Sequence, residues 1–240
     1  MLLPTHAWGE PTASRRALLI HGLSSSGATW APVGEHLAER GWFATAVDLR
    51  GHGDAPRAER YGVDDYVSDL PGTNWDVAIG HSLGGAVAAV AALRAGFARR
   101  LVLIDPALVV PDSEWEQVRR DQLSELDLTE ESLHHTQPLW SERDIRLKLD
   151  ASAKATAGMI EGTLDDNHPW NVLARVAEIA IPTLVITGDP AVYTMVPPTV
   201  ADGLQRQNPL IDYRVVVGTG HSPHRDDFDS TIALIDEWLG

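Results

Sequence analysis

A serine set between glycines is the strongest candidate for nucleophilic chemistry in this sequence. Gly80-His81-Ser82-Leu83-Gly84 has the pattern G-x-S-x-G, directly after an apolar run at 75–79 and directly before a helical pattern at 83–95. A tight turn from strand to helix lifts the serine hydroxyl above the end of a sheet, and small neighbours relieve the crowding in this strained turn. The pattern is weak by itself but strong in this setting, so Ser82 is the predicted nucleophile.

A histidine on a glycine-rich loop is the predicted general base. Gly218-Thr219-Gly220-His221-Ser222-Pro223-His224 follows an apolar run at 211–217. A histidine on a loop beyond a strand end can reach a serine at a neighbouring strand end and take its proton. His221 follows Ser82 in the chain, in the order nucleophile first and base last. His224 is the competing candidate, although its place at a helix start favours a surface or capping role.

Elements that can position these residues recur along the chain, because short apolar runs alternate with helical patterns. Strands are predicted at Ala17–Ile20, Trp42–Val47, Trp75–Ile79, Leu101–Ile104, Thr183–Thr187 and Ile211–Val217, with one or two short ones between Leu2 and Trp8. Helices are predicted at Thr29–Arg40, Val63–Leu70, Leu83–Ala95 and Thr231–Leu239. The pattern predicts an α/β fold with a mostly parallel twisted sheet of about seven to eight strands, flanked by helices.

One interval departs from this alternation. Between the strands predicted at Leu101 and Thr183 lie roughly 80 residues without a convincing strand, more than one crossover needs. Leucines recur there at helical spacing among many acidic residues, whose simplest interpretation is a solvated helix face. We expect a helical cap insertion at 107–180 over a core formed by 1–106 and 181–240.

The composition excludes several classes of function. The 240 residues include 34 Asp and Glu against 19 Lys and Arg, a formal net charge of −15. Such a surface repels phosphate backbones and anionic lipid, so no nucleic-acid partner and no membrane partner is expected. The chain has no cysteine, which excludes disulfides, thiolate metal sites and a cysteine nucleophile.

Neither a cofactor nor a metal is expected. The ten histidines show no metal-ligand spacing, and no glycine motif in a nucleotide-binding context occurs. The N-terminus lacks a signal-peptide pattern, and no apolar run has the length of a membrane helix. We therefore expect a cytoplasmic globular protein that acts on a small molecule. The sequence does not predict its oligomeric state.

Four motifs in order make the chain resemble the α/β-hydrolase fold superfamily over nearly its whole length. Besides the serine turn and the histidine loop, His21-Gly22 resembles the oxyanion-loop motif, and Asp48-Leu49-Arg50-Gly51-His52-Gly53 resembles the D-x-R-G-H-G turn. The resemblance implies that the backbone N–H groups of Leu23 and Leu83 form an oxyanion hole. It also implies that His21 orders the oxyanion loop, and that Asp48 and His52 hold their turn.

The acidic partner of the histidine departs from the usual pattern of that family. Its usual position, after the strand predicted at Thr183–Thr187, falls here on Ala191. Asp189 would serve with a slightly altered loop. Asp105, at the end of the preceding strand, is where some relatives keep the acid. Either carboxylate would hold the imidazole tautomer and stabilise the imidazolium, so both stay open.

The nucleophile type restricts the chemistry. Epoxide hydrolases and haloalkane dehalogenases of this fold need a carboxylate where Ser82 stands, whereas serine favours acyl transfer. We expect hydrolysis of a small to medium carboxylic ester or lactone with apolar groups, through a Ser-His-Asp triad and an acyl-enzyme. Two alternatives remain: a carbon–carbon bond hydrolase or lyase on the same triad, and a small-molecule receptor that retains the fold.

Tryptophans supply candidate walls for a substrate pocket. Trp140 and Trp170 fall in the predicted cap, and Trp30 follows the oxyanion loop. For any one of the cap tryptophans, core or cap–sheet packing is the simpler interpretation, but together they make an apolar, partly aromatic pocket plausible. Met159 and Met195 are further candidates, for which a core position is the simpler interpretation.

Overall fold

A seven-stranded sheet forms the centre of the molecule in the computed structural model, which describes residues 1–240. Its strands are β1 (Thr5–Trp8), β2 (Arg15–Ile20), β3 (Trp42–Val47), β4 (Val77–His81), β5 (Leu101–Ile104), β6 (Thr183–Thr187) and β7 (Ile211–Val215). Their spatial order is β1-β3-β2-β4-β5-β6-β7, and only β1 runs antiparallel to its neighbour. This confirms the mostly parallel α/β sheet predicted from the sequence.

Eleven α-helices accompany the sheet. They are α1 (Ala31–Glu39), α2 (Val63–Asp69), α3 (Leu83–Ala91), α4 (Trp115–Ser124), α5 (Glu130–Thr136), α6 (Glu142–Ser152), α7 (Ala157–Asp165), α8 (Leu173–Ala177), α9 (Pro198–Gln207), α10 (Pro223–Asp226) and α11 (Phe228–Leu239). No helix is both long enough and apolar enough to cross a membrane.

Helices cover both faces of the sheet, which explains why its strands are continuous apolar runs. In β2, Leu18 and Ile20 belong to the larger hydrophobic cluster with α2, α3, α8 and α9. Ala17 and Leu19 belong to the smaller cluster, which α1 and α11 complete. Successive side chains of the strand therefore point into opposite halves of the core.

Element boundaries differ from the predicted ones where buried apolar residues continue past an element. The strand predicted at Trp75–Ile79 is displaced to β4, because Gly80 and His81 still pair with β5 while Trp75 forms only an isolated bridge to Ala98. The helix predicted to begin at Thr29 starts as a 3-10 turn at Gly27–Trp30. The α-helix α1 follows that turn and begins at Ala31, with Pro32 in its first turn.

The 107–180 segment contains α4 to α8 between β5 and β6, and no strand. It is tied to the rest of the molecule by side chains of α6, which packs against the 3-10 turn at Gly27–Trp30. Arg143 forms a bidentate ion pair with Glu35 of α1, and Lys148 Nζ donates to the carbonyl of Ser24 at 2.9 Å. The division of the chain into a core and a cap stays a prediction.

Candidate active site

Ser82 occupies a strained turn between β4 and α3. Its backbone φ is 54° and ψ is −119°, a conformation that a non-glycine residue adopts only when its surroundings enforce it. The turn needs its glycines for space: a Cβ at Gly80 would lie 2.3 Å from the Gly84 carbonyl oxygen, and one at Gly84 would lie 2.2 Å from the Ile20 carbonyl oxygen. The flanking glycines thus permit the close approach that presents Ser82 at the end of the sheet.

His221 is hydrogen-bonded to Asp105. Its Nδ1 donates to Asp105 Oδ2 at 2.6 Å, while Nε2 bonds to no protein group. Asp105 is fully buried and also accepts from the backbone N–H of Met195 at 3.0 Å and from the Thr194 hydroxyl. Because these donors fix the carboxylate, the carboxylate in turn fixes the orientation of the imidazole and leaves Nε2 free for proton transfer.

Asp189, the other acid that the sequence left open, makes no contact with the His221 ring. Its carboxylate accepts from the backbone N–H groups of Ala191 at 2.8 Å and Gly218 at 2.9 Å. These two hydrogen bonds hold the pKa of Asp189 below its ordinary value. Asp189 therefore orders the two loops around it, and of the two candidate acids only Asp105 contacts His221.

The oxyanion-loop motif lies against the serine. A Cβ at Gly22 would be 3.1 Å from Ser82 Cβ, and the N–H of the next residue, Leu23, donates to no backbone carbonyl. The N–H of Leu83 is the first of α3 and has no carbonyl one turn earlier in the helix to bond. The two donors predicted for an oxyanion hole are thus unpaired and adjoin Ser82.

Buried polar side chains hold that loop in place. His21 Nε2 accepts from the backbone N–H of Leu49 at 3.0 Å, and its Nδ1 bonds to the Gly22 carbonyl at 2.7 Å. Asp48 accepts from the backbone N–H groups of Gly27 at 2.7 Å and Asp54 at 2.8 Å. His21 and Asp48 therefore have the loop-ordering and turn-holding contacts expected from the sequence.

Two more histidines pack behind the His221 loop. His81 Nε2 donates to the His221 carbonyl at 2.9 Å, and the His81 ring lies 4.7 Å from the ring of His224. Burial holds the pKa of both His81 and His224 well below the usual range. The surface or capping role predicted for His224 is wrong, because its side chain is buried and stacks on Trp30 with ring centroids 5.1 Å apart.

Two cavities meet at Ser82 and His221, and Leu23 and Tyr193 also line both. The polar cavity has a volume of about 410 Å³, and only 5 of its 21 lining residues are hydrophobic. The apolar cavity has a volume of about 380 Å³, and 9 of its 15 lining residues are hydrophobic. A reacting group at Ser82 therefore has an apolar space on one side and a polar space on the other.

The three candidate tryptophans differ in whether they line a cavity. Trp140 lines the polar cavity, and Trp170 lines the apolar one with its Nε1 donating to the Ala107 carbonyl at 2.7 Å. Trp30 lines neither cavity, because it is only 1% exposed and packs on His224 in the core, so its predicted role as a substrate wall is not supported.

The two candidate methionines also differ in whether they line a cavity. Met195 lines the apolar cavity, whereas Met159 is buried in the core.

Lys148 and Arg225 line the polar cavity and were not expected from the sequence. Lys148 is 6% exposed, pairs with Glu125 and bonds to the Ser24 carbonyl. The available signal was a charged residue inside an apolar pattern, since Lys148 stands between two leucines of α6. Such a signal is ambiguous, because long cationic side chains commonly cover apolar surface while their charged ends remain in water.

One group of metal-ligand side chains occurs outside the cavities. Glu130, His134 and Glu142 bring their ligand atoms within 4.8 Å of one another, and all three are exposed. None of them lines either cavity. This exposed group is therefore separate from the cavities at Ser82 and His221.

Comparisons with known proteins find similar sequences and similar folds. The model of the alpha/beta hydrolase family matches residues 17–234. Lipase LipV of Mycobacterium tuberculosis is 38% identical over 115 residues, which cover 45% of this chain and 43% of that lipase. The matched stretches span less than half the length of the curated relatives.

Solved structures share the fold over nearly the whole chain. E-2-(acetamidomethylene)succinate hydrolase superposes with a TM-score of 0.86 at 20% identity, covering 99% of this chain and 94% of that chain. An esterase from Exiguobacterium antarcticum superposes with a TM-score of 0.80 at 17% identity, covering 99% and 95%. At such identities the likeness concerns the fold.

Proposed function

Since this chain belongs to the alpha/beta hydrolase family, we propose that it is a serine hydrolase of small to medium carboxylic esters or lactones that carry an apolar group. One observation carries the proposal. Ser82, on its strained turn, lines the same two cavities as His221, whose Nδ1 is hydrogen-bonded to the buried Asp105. Nucleophile, base and orienting acid are therefore assembled beside space for a substrate.

In the proposed reaction, Ser82 Oγ attacks the carbonyl carbon of the ester while His221 Nε2 takes its proton. Asp105 accepts from Nδ1–H, holding the tautomer that leaves Nε2 basic, and stabilises the imidazolium that forms. The carbonyl oxygen becomes an oxyanion that accepts from the N–H groups of Leu23 and Leu83.

The intermediate collapses in the usual order of acyl transfer. The carbon–oxygen bond to the leaving alcohol breaks, and His221 gives that oxygen the proton. A water molecule then attacks the acyl-enzyme, with His221 as its base, and the free acid leaves with Ser82 regenerated.

The apolar cavity supports an apolar part on the substrate. Its walls include Val118, Leu164 and Trp170, and its volume of about 380 Å³ falls within the range of small-molecule sites. The name of the Mycobacterium tuberculosis relative, a lipase, also supports carboxylic ester hydrolysis. A lactone is a cyclic ester and follows the same steps.

Hydrolysis of p-nitrophenyl acetate, butyrate and octanoate tests the proposal, with Ser82→Ala as the inactive variant. We expect repeated turnover by the wild type and a loss of at least about 10³-fold in kcat for Ser82→Ala. A serine-directed fluorophosphonate should label the wild type only. Ser68→Ala is the matched control, because that exposed hydroxyl only bonds to the Asp65 carbonyl in α2.

Two outcomes would contradict the proposal. Full hydrolytic activity in Ser82→Ala would exclude this serine as the nucleophile. Labelling of Ser82 without repeated turnover on any ester or lactone would instead favour the receptor alternative, in which the site binds a small molecule.

A further inference from the structure

Three cationic side chains are buried in this molecule, and two of them have protein partners. Arg50 donates to Asp69 at 2.7 Å and to the Arg60 carbonyl at 2.8 Å. Lys148 pairs with Glu125 and donates to the Ser24 carbonyl. The third, Arg225, makes no ion pair, and no protein acceptor bonds its guanidinium; its buried Nε is entirely unpartnered. A buried charge without a partner is costly, so this exception needs an explanation.

Arg225 lies in the wall of the polar cavity that Ser82 and His221 also line. Its side chain is 9% exposed, and its Cζ stands 4.7 Å from the ring centroid of Trp140. The aromatic face holds the guanidinium by a cation–π contact, which uses none of its five N–H donors. The Nη donors, which are not fully buried and have no protein acceptor, are therefore available to a ligand in the cavity.

The carboxylates near Arg225 are engaged elsewhere. Asp226 accepts from the N–H of Gly220 at 2.6 Å and from Trp140 Nε1 at 2.7 Å, and Glu125 pairs with Lys148. Burial lowers the pKa of Arg225, and the charges of Asp144, Glu125 and Asp226, which form no ion pair with it, partly offset that effect. An arginine remains charged despite such a shift, so the polar cavity contains one cation that lacks an acceptor.

We propose that Arg225 binds a carboxylate carried by the substrate, and that Ser82 therefore hydrolyses esters with a free carboxylate on the part that occupies the polar cavity in preference to neutral esters. Monoesters of dicarboxylic acids are the simplest members of this class. The inference rests on the proposed function and narrows its substrate.

The chemistry of the site favours a carboxylate over a more highly charged anion. The planar guanidinium fork matches the two oxygens of a carboxylate in a bidentate hydrogen bond. Asp226 and Glu125 line the same cavity, so a dianionic phosphate would meet stronger repulsion than a singly charged group. A carboxylate at Arg225 and an apolar group in the apolar cavity would leave the ester carbonyl at Ser82, where the cavities meet.

Paired esters test the proposal: monobutyl glutarate, which carries the carboxylate, and butyl pentanoate, in which a methyl group replaces it. Butanol release gives kcat/KM for both. We expect Arg225→Gln to lower kcat/KM for monobutyl glutarate by about 10- to 100-fold and to leave butyl pentanoate nearly unchanged, because a charged hydrogen-bonded contact is lost. Arg225→Lys keeps the charge but lacks the planar guanidinium fork, so its kcat/KM for monobutyl glutarate should lie between those of the wild type and Arg225→Gln. Arg206→Gln, at an exposed arginine on α9 that lines neither cavity, should match the wild type.

Binding separates this inference from the proposed function. Ser82→Ala should bind monobutyl glutarate in calorimetric titration, and adding Arg225→Gln should weaken the binding by a similar factor. If the wild type hydrolyses neither these esters nor the p-nitrophenyl esters but binding still depends on Arg225, the hydrolase proposal fails and the carboxylate site stands. If Arg225→Gln changes kcat/KM equally for both esters, or leaves the affinity for monobutyl glutarate unchanged, the carboxylate site is refuted and the hydrolase proposal stands. Thermal melts of each variant exclude unfolding, and Arg225→Lys provides the same comparison should Arg225→Gln not fold.

Discussion

Substitution of Asp105 by asparagine is the sharpest test of how the imidazole is held. The change keeps the size of the side chain but removes the charge that accepts from His221 Nδ1 at 2.6 Å. Asp105 is fully buried, so the imidazolium that forms on His221 during acyl transfer would lose its buried counter-charge, a loss that we take as about 3–5 kcal/mol on the barrier from the cost of breaking buried charged pairs. Each 1.36 kcal/mol on a barrier is about tenfold in rate, so kcat should fall by about 10²- to 10⁴-fold.

Asp189→Asn is the matched control for that substitution. It removes the same charge from the other candidate acid, whose carboxylate accepts only from the N–H groups of Ala191 and Gly218. An amide oxygen can still accept from one of them, so kcat should stay within about threefold of the wild type, with at most a small loss of stability.

The assay is kcat on p-nitrophenyl butyrate at saturating concentration, with a thermal melt of each variant. Wild-type kcat in a folded Asp105→Asn would refute the assignment of Asp105 as the orienting acid. A large loss in Asp189→Asn with Asp105→Asn unaffected would transfer that role to Asp189.

Three further perturbations test the turn, the buried histidines and the apolar cavity. Gly84→Ala should destabilise the fold by about 2–4 kcal/mol or prevent folding, because the new Cβ would lie 2.2 Å from a backbone carbonyl oxygen. Gly158→Ala is the control: the space around it is open, so this substitution should be neutral or stabilising. Urea unfolding measures the free energy of both variants. Burial lowers the pKa of His21 to about 4 and that of His52 to about 3, so below about pH 6.5 the unfolded state binds more protons than the folded state. As the pH is lowered from 7.5 to 5, the free energy of unfolding should therefore fall by about 2 kcal/mol for each histidine. Equal unfolding curves at the two pH values would contradict this. Val118→Trp should fill part of the apolar cavity and lower kcat/KM for p-nitrophenyl octanoate about tenfold relative to the acetate, and an unchanged chain-length preference would place the apolar group elsewhere.

Features that depend on local backbone requirements could be predicted from the sequence. The serine turn needs small residues wherever it occurs, so its glycines mark it without knowledge of the rest of the fold. Strands β3, β5 and β6 have the predicted boundaries because each is a buried apolar run that ends at turn residues. The predicted strand ends two residues before β4 does, because Gly80 and His81 pair as strand residues although their types do not favour strands.

Features that depend on long-range contacts could not be predicted. The choice between Asp105 and Asp189 depends on the path of the loop after β6, which brings the Met195 N–H to Asp105. Trp30 is directed into the core rather than into a cavity because it stacks on His224, far along the chain. The environment of Arg225 likewise depends on Trp140, whose proximity no local pattern reveals.

The hydrogen bond from Lys148 to the Ser24 carbonyl has a mechanical consequence. Ser24 directly follows Leu23, so α6 and the proposed oxyanion donor are joined through a single buried ammonium group. A swing of α6 away from the sheet would break that bond or pull the loop, and in either case the oxyanion donor would lose its support. In the proposed mechanism, opening of the 107–180 segment would therefore interrupt acyl transfer at Ser82.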